Sequence, residues 1–448
     1  MQGLNVTDLP DGRRAIIIRT SDRIAFKSCR RKWGWSSHLK ANLAPKQLAA
    51  PLWFGSAIHY ALEDYHGWNK FGRASEAFKA YCLATAKNHL RDLPPDAQEH
   101  YQMGIAMMDY YEDYWLKGYP RKPDVTHWAP HPVTGEMEPQ VEVNFEIEIP
   151  IHDYPLLVAY CKELGVDCVL YRGTIDRVCV DEYGQLWVDE YKTAKIFQNQ
   201  HYQTDPQVTT YVWACSHIYD EPVAGVIYHQ FIKKTPMPPR VLSSGKVSTA
   251  QNQATSYPLY KLQLEAMYGD AMKAPSLNQD YMNTLMKSEN QDRDRYIIRE
   301  RIFRNPMQCQ IEAQKILLEL EDMLNPELPL YPNPTRDCSR MCSFLAPCVN
   351  MDDGSDWEAL LDMSYGSRDQ DVERMWRRRL PSAEQLLAMR DAEEEIDLSG
   401  IHFESLEAYK QAQIAVGDYP ADEFQQAKAN PWNGIDETGS FDMGAVES

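Results

Sequence analysis

The stretch CVLYRGTIDRVCV-DEYGQ-LWVDEYK, residues 168–192, decides the fold. Cys168 to Val180 and Leu186 to Lys192 are rich in β-branched and aromatic residues and read as strands. Asp181-Glu182-Tyr183-Gly184 between them has the chemistry of a tight turn, so the two strands form an antiparallel hairpin. The first strand carries Gly173 and Asp176, and the second carries Asp189, Glu190 and Lys192. Pairing sets Asp176 beside Glu190 at one end of the sheet. Glu190 and Lys192, two residues apart, point to one face. Two carboxylates suit Mg²⁺ or Mn²⁺, and a neighbouring ammonium can orient a water or neutralise charge developing on a phosphate. A bare Asp and Glu-x-Lys pattern is equally an exposed hairpin with a salt bridge, so its surroundings matter.

Upstream, Val141, Val143, Phe145, Ile147 and Ile149 alternate with Glu142, Glu146 and Glu148, the pattern of a half-buried strand with its glutamates turned outward. Gly55–Trp68, Glu76–Leu90 and Glu99–Leu116 read as helices, so the first third is helical. Downstream, Asp205-Pro206 opens a helix, with Asp205 as N-cap and Pro206 at its first position. Val223 to Phe231 returns as a strand. Lys234 to Asp294 is a polar insertion with helical pieces around Leu262 to Met272, followed by a strand at Arg295–Phe303 and an amphipathic helix at Pro306–Leu324. The spans are therefore an N-terminal helical part (1–140), an α/β core (141–233), the insertion (234–294), a closing strand, helix and cysteine segment (295–350), and a tail (351–448).

The net charge of −19 opposes a nucleic-acid partner at face value. Its distribution is uneven. Residues 381–448 hold fifteen Asp and Glu against three Lys and Arg, whereas Arg13, Arg14, Arg19, Arg23, Lys27, Arg30, Arg31, Lys32, Lys40 and Lys46 form a basic stretch. Arg374, Arg377, Arg378 and Arg379 form a smaller basic group before the tail. No signal-like N-terminus and no bilayer-length apolar run is present, so a cytoplasmic protein is expected, without membrane contact. No G-x-x-x-x-G-K-[ST] occurs, which excludes a built-in ATP-driven motor of that type.

Four motifs stand in order: Gly55-x-x-x-His59, Gly173-x-x-Asp176, Glu190-x-Lys192 and Gln207-x-x-x-Tyr211. This order resembles the RecB-like branch of the PD-(D/E)XK nuclease superfamily, which includes CRISPR-associated RecB-like exonucleases and phage recombination exonucleases. The resemblance covers roughly Ser21 to Asn350. It implies a restriction-endonuclease-like α/β fold with a mixed central sheet flanked by helices, acting as a metal-dependent DNA exonuclease in recombination, repair or phage DNA metabolism. It implies a Mg²⁺ or Mn²⁺ site made by His59, Asp176, Glu190 and the Tyr191 carbonyl. Lys192 then handles the attacking water, and Gln207 and Tyr211 position the DNA. Glu63, Asp189 and Thr193 stand close enough to support the ligands. The length, polar insertion and acidic tail look most like phage-encoded members, which act in the host cytoplasm.

Cys82, Cys161, Cys168, Cys179, Cys215 and Cys309 sit singly among apolar neighbours and read as buried thiols. Cys338, Cys342 and Cys348 fall together after the Pro-rich segment 329–334, and three close thiols suit zinc as readily as iron. In the iron–sulfur members of the family a fourth cysteine lies far upstream, and Cys29 matches that place. The resemblance thus implies a [4Fe–4S] cluster on Cys29, Cys338, Cys342 and Cys348 closing the C-terminal part of the fold, with Zn²⁺ as the alternative. Three residues separate Cys338 from Cys342 where the family has two. A structure-specific endonuclease and a catalytically silent DNA-binding subunit are the rival readings. The acidic tail is expected to dock a recombination or replication protein.

Overall fold

The computed structural model describes residues 6–46, 50–89, 97–119, 124–132, 134–197, 202–290 and 292–367. The hairpin forms as its sequence dictates. Asp181 caps the turn by accepting hydrogen bonds from the Tyr183 and Gln185 N–H groups, and Gly184 takes φ +78°. Its strands, Cys168–Val180 and Leu186–Ala194, sit at the centre of a mixed sheet. Thr7–Asp8, Arg14–Arg19, the two hairpin strands, Val223–Ile232 and Ile297–Phe303 follow one another through hydrogen-bonded pairs. Val141–Glu148 and Val125–Thr126 pair with the first hairpin strand as well.

Leu186–Ala194 and Val223–Ile232 run parallel, which requires a crossover, and helix Pro206–Tyr219 supplies it. Asp205 caps that helix by accepting the Gln207 N–H at 2.8 Å, with Pro206 in the first turn. Helices Pro155–Leu164, Pro206–Tyr219 and Pro306–Leu324 cover one face of the sheet, burying Leu157, Val208, Val212, Ile316 and Leu320 against Ile16, Ile18, Tyr171, Val188 and Tyr228. On the other face the N-terminal helices Ala50–His66, Ala74–His89 and Ala97–Tyr110 are packed together. There Tyr191 stacks on His66, and Phe231 meets Tyr111. A π-helical turn at Tyr111–Trp115 interrupts the long third helix expected from sequence. No helix among the described residues is long and apolar enough to cross a membrane.

Strand Arg14–Arg19 changes the reading of the basic N-terminus. Its Ala15-Ile16-Ile17-Ile18 run is buried and pairs parallel with Cys168–Arg172. Many of the neighbouring cations are consumed inside the protein. Arg13 pairs with Asp11 and Glu148, Lys27 with Glu319, and Arg31 with Asp352. Arg23, 1 % exposed, reaches Glu312 at 2.6 Å and Glu319 at 2.5 Å, locking helix Thr20–Ser28 to helix Pro306–Leu324. The stretch acts largely as a structural clamp.

The polar insertion has a core of its own, Tyr260, Leu264, Tyr281, Met282 and Leu285, between helices Tyr257–Tyr268 and Ser276–Ser288. The boundary drawn at 351 falls inside helix Leu345–Asp353, and packing continues through helix Trp357–Ser364 to Tyr365–Ser367, which pairs with Leu43–Pro45. The rest of the tail lies outside the described residues.

Removing one partner of a buried ion pair strands the other charge in the interior. Arg23→Ala is therefore expected to destabilise the protein by about 3–5 kcal/mol. Arg13→Ala, at an exposed pair screened by water, should cost far less. Denaturant unfolding of both variants checks the contrast.

Candidate metal centre and cysteine corner

The hairpin ladder runs from Val180↔Leu186 to Arg177↔Asp189 and stops there. Past that rung the second strand continues beside Val223–Ile232, while on the same edge the first strand is next paired at Arg172 by Arg19, its other edge staying paired with Val141–Glu148. In the gap the Asp176 carboxylate, in place of a backbone carbonyl, accepts the Tyr191 N–H at 2.8 Å. The opening of the ladder thus presents Asp176 and Glu190 together.

Both helical layers reach this gap. From the N-terminal side, His59 places Nδ1 3.3 Å from Asp176 Oδ1 and 3.9 Å from Glu142 Oε1. From the other side, Gln207 donates to Glu190 Oε1 at 3.1 Å and to the Tyr211 hydroxyl at 3.0 Å. Lys192 also donates to Glu190 Oε1. Arg304 donates to the Thr209 hydroxyl at 2.8 Å and to the Tyr202 carbonyl at 2.9 Å, which fixes the start of the Gln207 helix. The second Glu190 oxygen, Oε2, is buried without a hydrogen-bond partner. A buried carboxylate oxygen left this way is costly unless a cation sits beside it.

The electrostatics are those of a site crowded with acids. Burial, and then the neighbouring Asp176 charge, push the Glu190 carboxyl up to about 7. Burial pushes Asp176 up too, but His59, Lys192 and the Tyr191 N–H hold it below its usual range. Burial works against a charge on His59, yet Asp176 and Glu142 raise it to about 10. Burial likewise opposes the Lys192 charge, and Glu190 and Asp176 outweigh it. A buried carboxylate oxygen without a partner, a second carboxylate and an imidazole are a donor set that fits a divalent cation.

His59, Asp176, Glu190 and Lys192 therefore lie together, with Gln207 and Tyr211 at their edge. Gln207 and Tyr211 hold Glu190 in place rather than pointing freely outward. Tyr191 directs its ring to the opposite face. Asp189 also turns that way and makes a buried pair with Arg177 at 3.0 Å, so it does not support the ligands directly. Sequence reasoning missed Glu142. Strand alternation assigned it to the solvent side, yet one of its carboxylate oxygens, a His59 nitrogen and an Asp176 oxygen all lie within 4.8 Å of one another, close enough to hold a metal ion.

The segment carrying Cys29 and that carrying Cys338, Cys342 and Cys348 also meet, but among the described residues no three of these sulfurs stand close enough together to hold a metal. Cys29 caps helix Arg30–Ser36 and accepts the Lys32 N–H at 3.5 Å. Cys338 accepts the Thr335 N–H at 3.3 Å, and Cys348 accepts from Arg31 Nη1 at 3.3 Å. Asn333 donates to the Ser28 carbonyl and Arg31 N–H to the Tyr331 carbonyl, so the two segments meet through the protein's own bonds. Cys342 packs beside Phe344, Leu361 and Tyr365. These four thiols are partly exposed, whereas the other six cysteines are buried, as their apolar neighbours imply. N–H groups aimed at sulfur suit thiolates that carry iron.

The family model of the PD-(D/E)XK nuclease superfamily matches residues 24–349. No curated protein matches the chain.

Cation binding here must displace protons from His59 and Glu190. Mn²⁺ affinity is therefore expected to rise with pH, releasing about two protons per ion below roughly pH 7 and about one between roughly pH 7 and 10. Calorimetric titration in buffers of differing ionisation enthalpy measures this directly; a pH-independent affinity would contradict the assignment.

Proposed function

This chain belongs to the PD-(D/E)XK nuclease superfamily, and from that premise we propose that it is a Mg²⁺- or Mn²⁺-dependent DNA exonuclease of the RecB-like branch. The observation that carries the reading is the buried, unpartnered Glu190 oxygen at the mouth of the parted hairpin, beside Asp176 and Lys192. When bound, a divalent ion would lower the pKa of a coordinated water and polarise the scissile phosphate.

The residues divide the work. His59, Asp176, Glu190 and the Tyr191 carbonyl would hold the ion. Gln207 fixes Glu190, and Tyr211 fixes Gln207. Lys192, raised in pKa by its acidic neighbours, stays an ammonium and neutralises negative charge developing on the phosphate. Lys192, hydrogen-bonded to Glu190, would also be the residue whose ammonium orients the attacking water. Gln207 and Tyr211, on the Pro206–Tyr219 helix beside Glu190, are proposed to position the DNA at the site. The exonuclease assignment, and a place in recombination, repair or phage DNA metabolism in the host cytoplasm, rest on the four-motif resemblance. The acidic tail is proposed to dock a partner of such a pathway.

We propose further that Cys29, Cys338, Cys342 and Cys348 hold a [4Fe–4S] cluster. Its support is the meeting of the two cysteine segments and the N–H donors on three of the sulfurs. Such a cluster would close a loop of about three hundred residues and so stabilise the folded state.

End-labelled linear DNA should be degraded with Mn²⁺ while covalently closed circular DNA survives. Glu190→Ala and Lys192→Ala should each abolish turnover, with Lys192→Ala still binding metal. Cleavage of closed circles would favour the endonuclease alternative, and full activity in EDTA would remove the metal mechanism. Anaerobically purified protein should be yellow-brown, and Cys29→Ala should be colourless and less heat-stable, with Cys215→Ala unchanged in colour. Colourless parent protein carrying stoichiometric zinc would overturn the cluster and leave the nuclease standing.

A further inference from the structure

We infer that Glu142 is a third carboxylate ligand of the cation site, an inference that rests on the metal-dependent reading above. The register Val141↔Arg177 and Val143↔Ile175 sets Glu142 directly across from Asp176 on the neighbouring strand. Like charges directly opposite on paired strands are destabilising. Elsewhere on this strand the polar positions escape the problem. Asn144 accepts from Thr174, and Glu146 pairs with Arg172. Glu142 faces an acid instead.

Its conformation is equally unusual. Glu142 has φ +48°, a left-handed value uncommon for a residue with a long side chain. Its side chain is only 9 % exposed, whereas Asn144, Glu146 and Glu148 on the same alternation are exposed. Strained backbone persists where the surroundings over-determine it, and such positions gather at functional sites. Here the strained residue turns a carboxylate toward His59 Nδ1 and Asp176 Oδ1, with the three ligand atoms within 4.8 Å of one another. A separate observation points to a cation nearby: Glu190, 1 % exposed and next to Asp176 across the parted hairpin, leaves Oε2 without a hydrogen-bond partner among the described residues.

Three carboxylates and one imidazole make a ligand set biased to hard divalent ions. His59 and Lys192 offset part of this acid charge when no ion is bound. A divalent ion between the strands turns the Glu142–Asp176 repulsion into shared coordination. The strand residue thereby becomes part of the site, alongside the helix and the hairpin.

The test is Mn²⁺ titration of the full chain followed by electron paramagnetic resonance, for the parent, Glu142→Gln, Glu142→Gly and Asp176→Asn. Loss of even an outer partner of a metal ligand costs about 10–100-fold in affinity. Glu142→Gln is therefore expected to weaken Mn²⁺ by at least about tenfold, with thermal stability in EDTA held or raised because the cross-strand repulsion is gone. Should Glu142→Gln fold poorly, Glu142→Gly carries the test, since glycine adopts φ +48° without strain. Mn²⁺ affinity within twofold of the parent in a folded Glu142 variant, with loss in Asp176→Asn, overturns the role of Glu142 alone. Unchanged affinity in Asp176→Asn as well overturns the metal site on which it rests.

Discussion

The buried ion pair between Arg177 and Asp189 is the constraint on which the site depends. The two residues face each other on the last rung of the hairpin and are almost inaccessible to water. The Tyr191 hydroxyl bridges them, donating to Asp189 at 3.1 Å and accepting from Arg177 at 3.3 Å, and Arg177 also reaches the Asp124 carbonyl at 2.6 Å. Pairs of this kind add little net stability over apolar packing, but they tolerate no slippage, because either charge alone in that environment costs several kcal/mol. Register is therefore fixed at residue 177 against residue 189. Asp176 and Glu190 are the next residues on each strand, so their meeting follows from it.

From that rung the chemistry follows in steps. The strands part, Asp176 takes up the Tyr191 N–H that the ladder leaves open, and a polar gap appears in an otherwise apolar sheet. Helices from opposite faces deliver His59 and Gln207 to it. Burial would neutralise the acids if they stood alone; His59, Lys192 and the Tyr191 N–H keep Asp176 ionised, while Glu190 is left near neutrality in its pKa. This asymmetry between two adjacent carboxyls is a common arrangement where one fold must bind a cation and manage protons together.

Much of this was legible in the sequence, for reasons that can be named. Asp181-Glu182-Tyr183-Gly184 has one good turn solution, and Asp205-Pro206 has one good helix start. Local chemistry decided those elements. The six lone cysteines were buried because their neighbours are apolar. What sequence did not disclose depends on distant partners. The buried strand at Arg14–Arg19 lies inside a stretch that reads as basic, and only the fold reveals that Glu312 and Glu319 pair with Arg23. Glu142 followed the alternation of its strand and departed from its outward role because Asp176 and His59 stand opposite. The polar insertion hid a small core whose tyrosines are separated by more than one helix, a spacing no single periodicity exposes.

The proposed divalent cation would sit in the parted hairpin between Asp176 and Glu190. Anomalous diffraction at the manganese edge, from crystals of the protein soaked in Mn²⁺, tests it most directly. The account predicts one or more manganese peaks with carboxylate oxygens of Asp176 and Glu190 and a His59 nitrogen at about 2 Å. A manganese peak bound elsewhere, with these three residues still arranged around the Lys192 ammonium, would contradict it.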